Sequence, residues 1–183
     1  MLTHDELIKE ISKTLAKTKV IKLRAILQKQ NFQIRELIDI TFYNDSGVSF
    51  RAAWLLENLY LKDPLLFADI ISYLLSRFAE VKNPSCQRHY TKIVMHATAQ
   101  KAPLTIRKKL EETDLELVVE TLFDWLIDPK VKIAVKVFAA TALFNLRHRY
   151  AWINDELAPQ LRFLMLNGSP GIRSRGKKLL EAL

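Results

Sequence analysis

Cysteine occurs once in 183 residues, at Cys86, which leaves no partner for an intramolecular disulfide and excludes a multi-cysteine zinc site. A lone thiol also points to a reducing compartment. Glycine and proline are scarce, at four and six residues. That is too few for a collagen-like, low-complexity or disordered chain, and it argues against a turn-rich β-sandwich. Long apolar runs are missing as well. Asp69 and Asn145 interrupt the two best, and a bilayer span needs roughly 20 apolar residues. The first twenty residues carry Asp5, Glu6 and Glu10 without the apolar stretch of a secretory signal. The expectation is a soluble, cytoplasmic protein that does not engage a membrane.

What is present suits a globular core: 49% of residues are apolar and 26% charged, with a net charge of +8. Almost every segment shows apolar residues three and four apart, the pattern of helices burying one face. Leu7, Ile8, Ile11 and Leu15 form the first stripe, after a capping box from Thr3 to Glu6. A second box, Thr113 to Glu116, is expected to open a helix holding Leu117, Val118, Leu122, Phe123 and Leu126. Asp63-Pro64, Asn83-Pro84, Asp128-Pro129 and Ser169-Pro170 each read as an N-cap followed by proline in the first turn, where no N–H is missed. No run alternates with period two, so no strand is expected. The predicted helices cover about 5–16, 19–29, 33–43, 48–61, 64–80, 85–99, 115–127, 130–148, 155–166 and 171–182. Residues 100–114 form either a longer connection or hold a short extra helix, and Pro159 falls either inside or before its helix.

The helices repeat. Val48–Leu59 aligns without gaps to Ile172–Leu183, placing Arg51 on Arg175 and Glu57 on Glu181, and Ala139–Leu146 aligns to Ala52–Leu59. A weaker copy runs through Ile93–Ala97. Equivalent positions Asn58, His96, Asn145 and Ala182 are 38, 49 and 37 residues apart, near the roughly 40–47 of helix-pair repeats. With Asp45, Val48, Arg51, Ala52, Ala53 and Leu56 in one copy and Ile172, Arg173 or Arg175, Leu179 and Leu180 in the last, the chain resembles HEAT-repeat (HEAT/armadillo-like) proteins. The copy at Asp128 has Lys132 where arginine is usual, and the copy at Asn83 replaces the aspartate.

That resemblance implies an all-α superhelix, a HEAT-like solenoid, in one domain of residues 1–183 with helix pairs near 5–29, 33–60, 64–99, 115–147 and 155–183. It further implies that the second helices, 48–61, 85–99, 130–148 and 171–182, line a concave face used for docking. Asp45, Arg51, Asp128 and Arg175 would form the structural ladder of the repeats. The runs FRAAWLLENLYLKDP, FDWLID and YAWINDEL are similar to a group of short bacterial helical-repeat proteins, some labelled adenylosuccinate lyase. The lyase activity is not carried over, because the lyase's loop rich in Ser, Met, Lys, Asn and Pro has no counterpart here; a divergent enzyme that merits the label is the third and weakest alternative.

Charge concentrates at one end. Residues 129–183 hold ten Lys or Arg against three Asp or Glu, whereas residues 45–128 hold ten against twelve. On the second helices the cations fall in i,i+4 rows: Arg88, Lys92 and His96; Lys132 and Lys136; Arg173 and Lys177. Such rows would either hold an acidic protein or peptide, track a nucleic-acid backbone, or simply solvate the surface. The leading expectation is a non-catalytic module docking a macromolecular partner on its concave face, most simply a protein or peptide. The alternative is a nucleic-acid-binding protein resembling HEAT-like alkylpurine DNA glycosylases, which pair aromatic residues with an acid as Trp125 pairs with Asp124 or Asp128. Trp125 nevertheless lies on an apolar stripe, and core packing is the simpler role for it and for Trp54. Trp152, Tyr90 and Tyr150 are further candidates for stacking or for a pocket.

No catalytic constellation emerges. His4, His89, His96 and His148 are scattered, so neither a metal site nor a cofactor is expected. Cys86 sits near a helix start, where a thiol pKa can fall, but lacks a partnering motif and reads as inert. Glu111-Glu112 and Asp155-Glu156 are expected at helix starts, where the macrodipole favours them. P-loop, GxGxxG, GxSxG and HExxH runs are all missing.

Overall fold

A computed structural model of the chain describes residues 3–13 and 32–183. The predicted helix 19–29 and Leu15 lie outside the described residues. Among the described residues every regular element is helical. The chain divides into two compact units, Met1–Tyr90 and Thr91–Leu183.

In the first unit, α1 (His4–Ser12) starts at the expected capping box: Glu6 N–H donates to Thr3 Oγ1 at 3.3 Å, and Thr3 N–H donates to Glu6 Oε2 at 2.9 Å. That backbone hydrogen bond from Thr3 holds the Glu6 carboxyl below its ordinary pKa. Leu7 and Ile11 are buried. Helix α2 (Ile34–Ile40) leads into α3 (Ser46–Lys62), where Asp45 Oδ1 accepts from Gly47 N–H at 2.8 Å and Val48 N–H at 2.9 Å. Ala52 and Ala53 put almost no side chain between α3 and its neighbours, while Leu55, Leu56 and Leu59 fill the space around them. Both α1 and α2 pack on α3.

The single helix predicted over 64–80 is broken. Pro64–Phe67 and Phe78–Glu80 are 3₁₀ turns on either side of α4 (Ile71–Ser76). Phe67, Ile71, Leu74 and Phe78 keep helical spacing and are all buried. Burial therefore follows the sequence pattern while the backbone tightens to i→i+3 bonds, Ala68 to Leu65 and Ile70 to Phe67 among them. Helix α5 (Pro84–Ala97) begins at the predicted proline, with Asn83 Oδ1 accepting from Ser85 N–H.

In the second unit, residues 100–114 hold the extra helix, α6 (Leu104–Glu112). Its presence overturns two expectations. Thr113 is the C-cap of α6, its hydroxyl donating to Lys109 O, so it does not open a capping box; α7 (Glu116–Ile127) starts after Leu115, with Asp114 Oδ1 accepting from Glu116 N–H. Glu111-Glu112 accordingly ends a helix and does not start one. Leu117, expected on the apolar stripe, is exposed, because the buried face of α7 runs through Val118, Leu122, Trp125 and Leu126. Asp128-Pro129 forms a turn closed by Lys130 N–H to Asp128 Oδ1 and does not begin a helix; α8 (Ile133–Leu146) starts later, after Lys132. Helix α9 (Trp152–Leu166) takes Pro159 into its interior, and α10 (Pro170–Leu180) starts at the predicted Ser169-Pro170.

Helix α8 is the centre of this unit. It packs on α7, α9 and α10, and its buried residues Val135, Ala139, Ala140, Ala142 and Leu143 sit on several sides of the helix. Asn145 Nδ2 donates to Met95 O at 3.1 Å and to Thr98 Oγ1 at 3.2 Å, joining the end of α8 to the end of α5. Arg149 reaches the last carbonyls around α6, at Leu110 O and Thr113 O.

Candidate functional site

Of the four residues expected to form the ladder, Asp45 and Arg51 act at helix ends. Arg51 Nε donates to Ile11 O at 3.0 Å, satisfying a carbonyl at the C-terminal end of α1 with a cation, where the macrodipole also favours one. Asp45 caps α3 directly. Asn83 explains why the aspartate of its repeat is replaced: its oxygen caps α5 while its amide donates to Ser46 O at 3.2 Å and Ser49 Oγ at 3.0 Å. A carboxylate could not donate. Asp128 closes its turn, and Arg175 is half-buried on α10.

The seven cations of the proposed rows fare differently. Lys132, Arg173 and Lys177 are exposed, and Lys177 lies 3.9 Å from Glu181. Arg88 is exposed, whereas Lys92 and His96 are half-buried. Lys136 does not share an exposed row with Lys132: it is 5% exposed. Lys132 is the N-cap of α8 with extended backbone, and although Lys136 N–H donates to Lys132 O at 3.3 Å, only Lys132 stays exposed. Burial lowers the Lys136 pKa, with Asp128 opposing the shift.

The other sequence candidates divide between core and surface. Trp125 is buried, which removes it from any stacking role. Tyr90 is wholly buried, its hydroxyl 2.7 Å from Thr41 Oγ1 and its pKa raised by burial. Trp54 stacks on Phe50 at 5.8 Å. Cys86 is buried with its Sγ 3.9 Å from Thr41 O, and burial pushes its thiol up to about 11, partly offset by Ser49. Its position in the first turn of α5 does not activate it. No group of His, Cys, Asp and Glu among the described residues is placed to hold a metal ion.

One candidate, Trp152, does line a cavity. Between α7 and α9 the second unit opens a groove of about 540 Å³ lined by Glu120, Phe123, Asp124, Ile127, Trp152, Glu156 and Gln160. The Phe123 and Trp152 rings stack with centroids 5.4 Å apart and planes 26° from parallel. Trp152 and Ile127 are exposed apolar residues within it.

Two features were missed by sequence reasoning. The first is the acidic rim of this groove, whose carboxylates come from helices 24 or more residues apart in the chain. The second is a buried pair, His89 with Glu57, packed beneath Phe50 and Trp54. The available signal was Glu57 itself, a charge on the buried side of α3 beside Leu56 and Tyr60.

Residues 7–183 match the residue profile of the HEAT repeat domain. No curated protein and no solved structure matches the chain. The profile spans nearly every described residue, and it agrees with the all-helical structure. The chain belongs to the HEAT-repeat family.

Proposed function

We propose that the chain is a non-catalytic HEAT-repeat scaffold, one module of residues 1–183, that docks an acidic protein or peptide on its second helices. HEAT repeats commonly mediate protein interactions, and a stack of helix pairs offers a long surface of repeated elements for that purpose. The observation that carries the reading is the placement of Lys132, Arg173 and Lys177: all three are exposed, and they stand on or at the start of α8 and α10, which pack on one another.

Titration of the full chain into a labelled Asp/Glu-rich peptide and into short DNA and RNA, at ~50 and ~200 mM salt, tests it. Saturable binding of the peptide supports docking of an acidic protein segment. A nucleic-acid affinity that falls by orders of magnitude across that salt range, with no peptide binding, would replace this reading by a phosphate-tracking one.

A further inference from the structure

We propose that the groove between α7 and α9 is a second binding site, of opposite charge preference, for an arginine-bearing segment of a basic partner protein. The groove lies between the first helices of the last two pairs and none of the second-helix cations lines it, so the inference is independent of the docking surface proposed above.

Three observations carry it. The floor is aromatic: Phe123 and Trp152 stack on one another, and Trp152 remains 44% exposed, so ring surface faces the opening. The walls are acidic, with Glu120, Asp124 and Glu156, and none of these three enters an ion pair among the described residues. Lastly, all three carboxylates are exposed, so their charge is available to a ligand without being desolvated beforehand. A local negative site is notable on a chain of net charge +8.

Those properties select the occupant. A cation is attracted both by the carboxylates and by the face of an indole. A guanidinium fits better than an ammonium, because it is planar, stacks on aromatic rings and meets a carboxylate through two parallel N–H groups. The volume of about 540 Å³ lies within the roughly 300–1,000 Å³ of ligand pockets and accommodates more than one side chain, hence a peptide segment. A second copy of this chain is disfavoured, since two bodies of net charge +8 repel.

The test uses the full chain and a fluorescein-labelled peptide of alternating Arg and Gly, with its citrulline counterpart as the neutral isostere. The Arg peptide is expected to bind, and the citrulline peptide to bind about tenfold or more weakly, the equivalent of one strong charged contact. Glu120→Gln, Asp124→Asn and Glu156→Gln combined should produce a similar loss while circular dichroism stays unchanged, because all three positions are exposed. Trp152→Ala should weaken binding, whereas Lys132→Glu with Lys177→Glu should not. Equal affinity for the Arg and citrulline peptides, or an unchanged affinity in the triple carboxamide variant, overturns the proposal. So does sedimentation showing a dimer of the wild type that the triple variant dissolves, because the occupant would then be a second copy.

Discussion

His89 Nδ1 lies 2.5 Å from Glu57 Oε2, and both side chains are buried. The pair ties α5 to α3 within the first unit, with the Phe50 and Trp54 rings 5.5 and 6.4 Å from the imidazole. Removing one member takes a buried hydrogen-bond partner from the other. Glu57→Ala should therefore lower stability by about 3 kcal/mol, read as an earlier denaturation midpoint at unchanged slope. Glu57→Leu combined with His89→Phe should cost less than Glu57→Leu alone, since neither polar group is then left unmatched. A double variant worse than the sum of the singles contradicts the pairing.

Asn83 has two duties that an aspartate would split. Asn83→Asp keeps the cap on Ser85 N–H but cannot donate to Ser46 O or Ser49 Oγ. The expected loss is about 1 kcal/mol, with Asn83→Ala worse because the cap goes too. Thermal unfolding of the three proteins in parallel checks the order, and an aspartate variant as stable as wild type would show the donated bonds to be idle.

The buried thiol gives a pH dependence with a defined sign. Cys86 titrates at about 11 in the folded chain against an ordinary value of 9.0. Its pKa is raised by burial, so its contribution is complete below about 9 and is lost as pH rises through about 11. The melting temperature should fall over that window, and less steeply in Cys86→Ala. Part of the slope should remain, because the Tyr90 hydroxyl shifts in the same direction. An aromatic disulfide reagent should leave the native thiol unmodified at pH 8 and react on addition of denaturant; prompt native reaction contradicts the burial.

Gly168 is required by a close approach of backbone. A Cβ there would stand 2.3 Å from Leu164 O and 2.2 Å from Ile172 Cγ2. Gly168→Ala is expected to cost about 2 kcal/mol through the shifts it forces. Gly171→Ala, where the nearest atom is Ser169 Oγ at 3.8 Å, should be almost silent in the same melt.

How far the sequence reached depends on the kind of signal. Local chemistry was legible: the Thr3–Glu6 box, Asn83-Pro84 and Ser169-Pro170 all start helices as their residues dictate, and the repeat alignment led to the family. Signals with two physical meanings were misread. Thr113 caps a C-terminus and not an N-terminus, because α6 ends there. Asp128-Pro129 makes a turn, since an aspartate serves an Asx turn as well as an N-cap. The Lys132–Lys136 row presupposed a helix that in fact begins at Ile133. The groove was half visible: Trp152 stood out as an aromatic candidate, but its Phe123 partner and the carboxylates around it converge only once α7 and α9 are folded side by side.

Charge reversal at matched sites shows whether the second-helix cations dock an acidic partner. Lys132→Glu, Arg173→Glu and Lys177→Glu combined should weaken binding of an Asp/Glu-rich peptide at least about tenfold, an amount equal to ~1.4 kcal/mol. The control reverses three other exposed cations, Lys101 before α6 and Arg107 and Lys108 on it, and should leave affinity within about twofold, since none of them stands on a second helix. Equal losses in the two triple variants would show that the peptide responds to net charge alone, and the docking face would have to be given up.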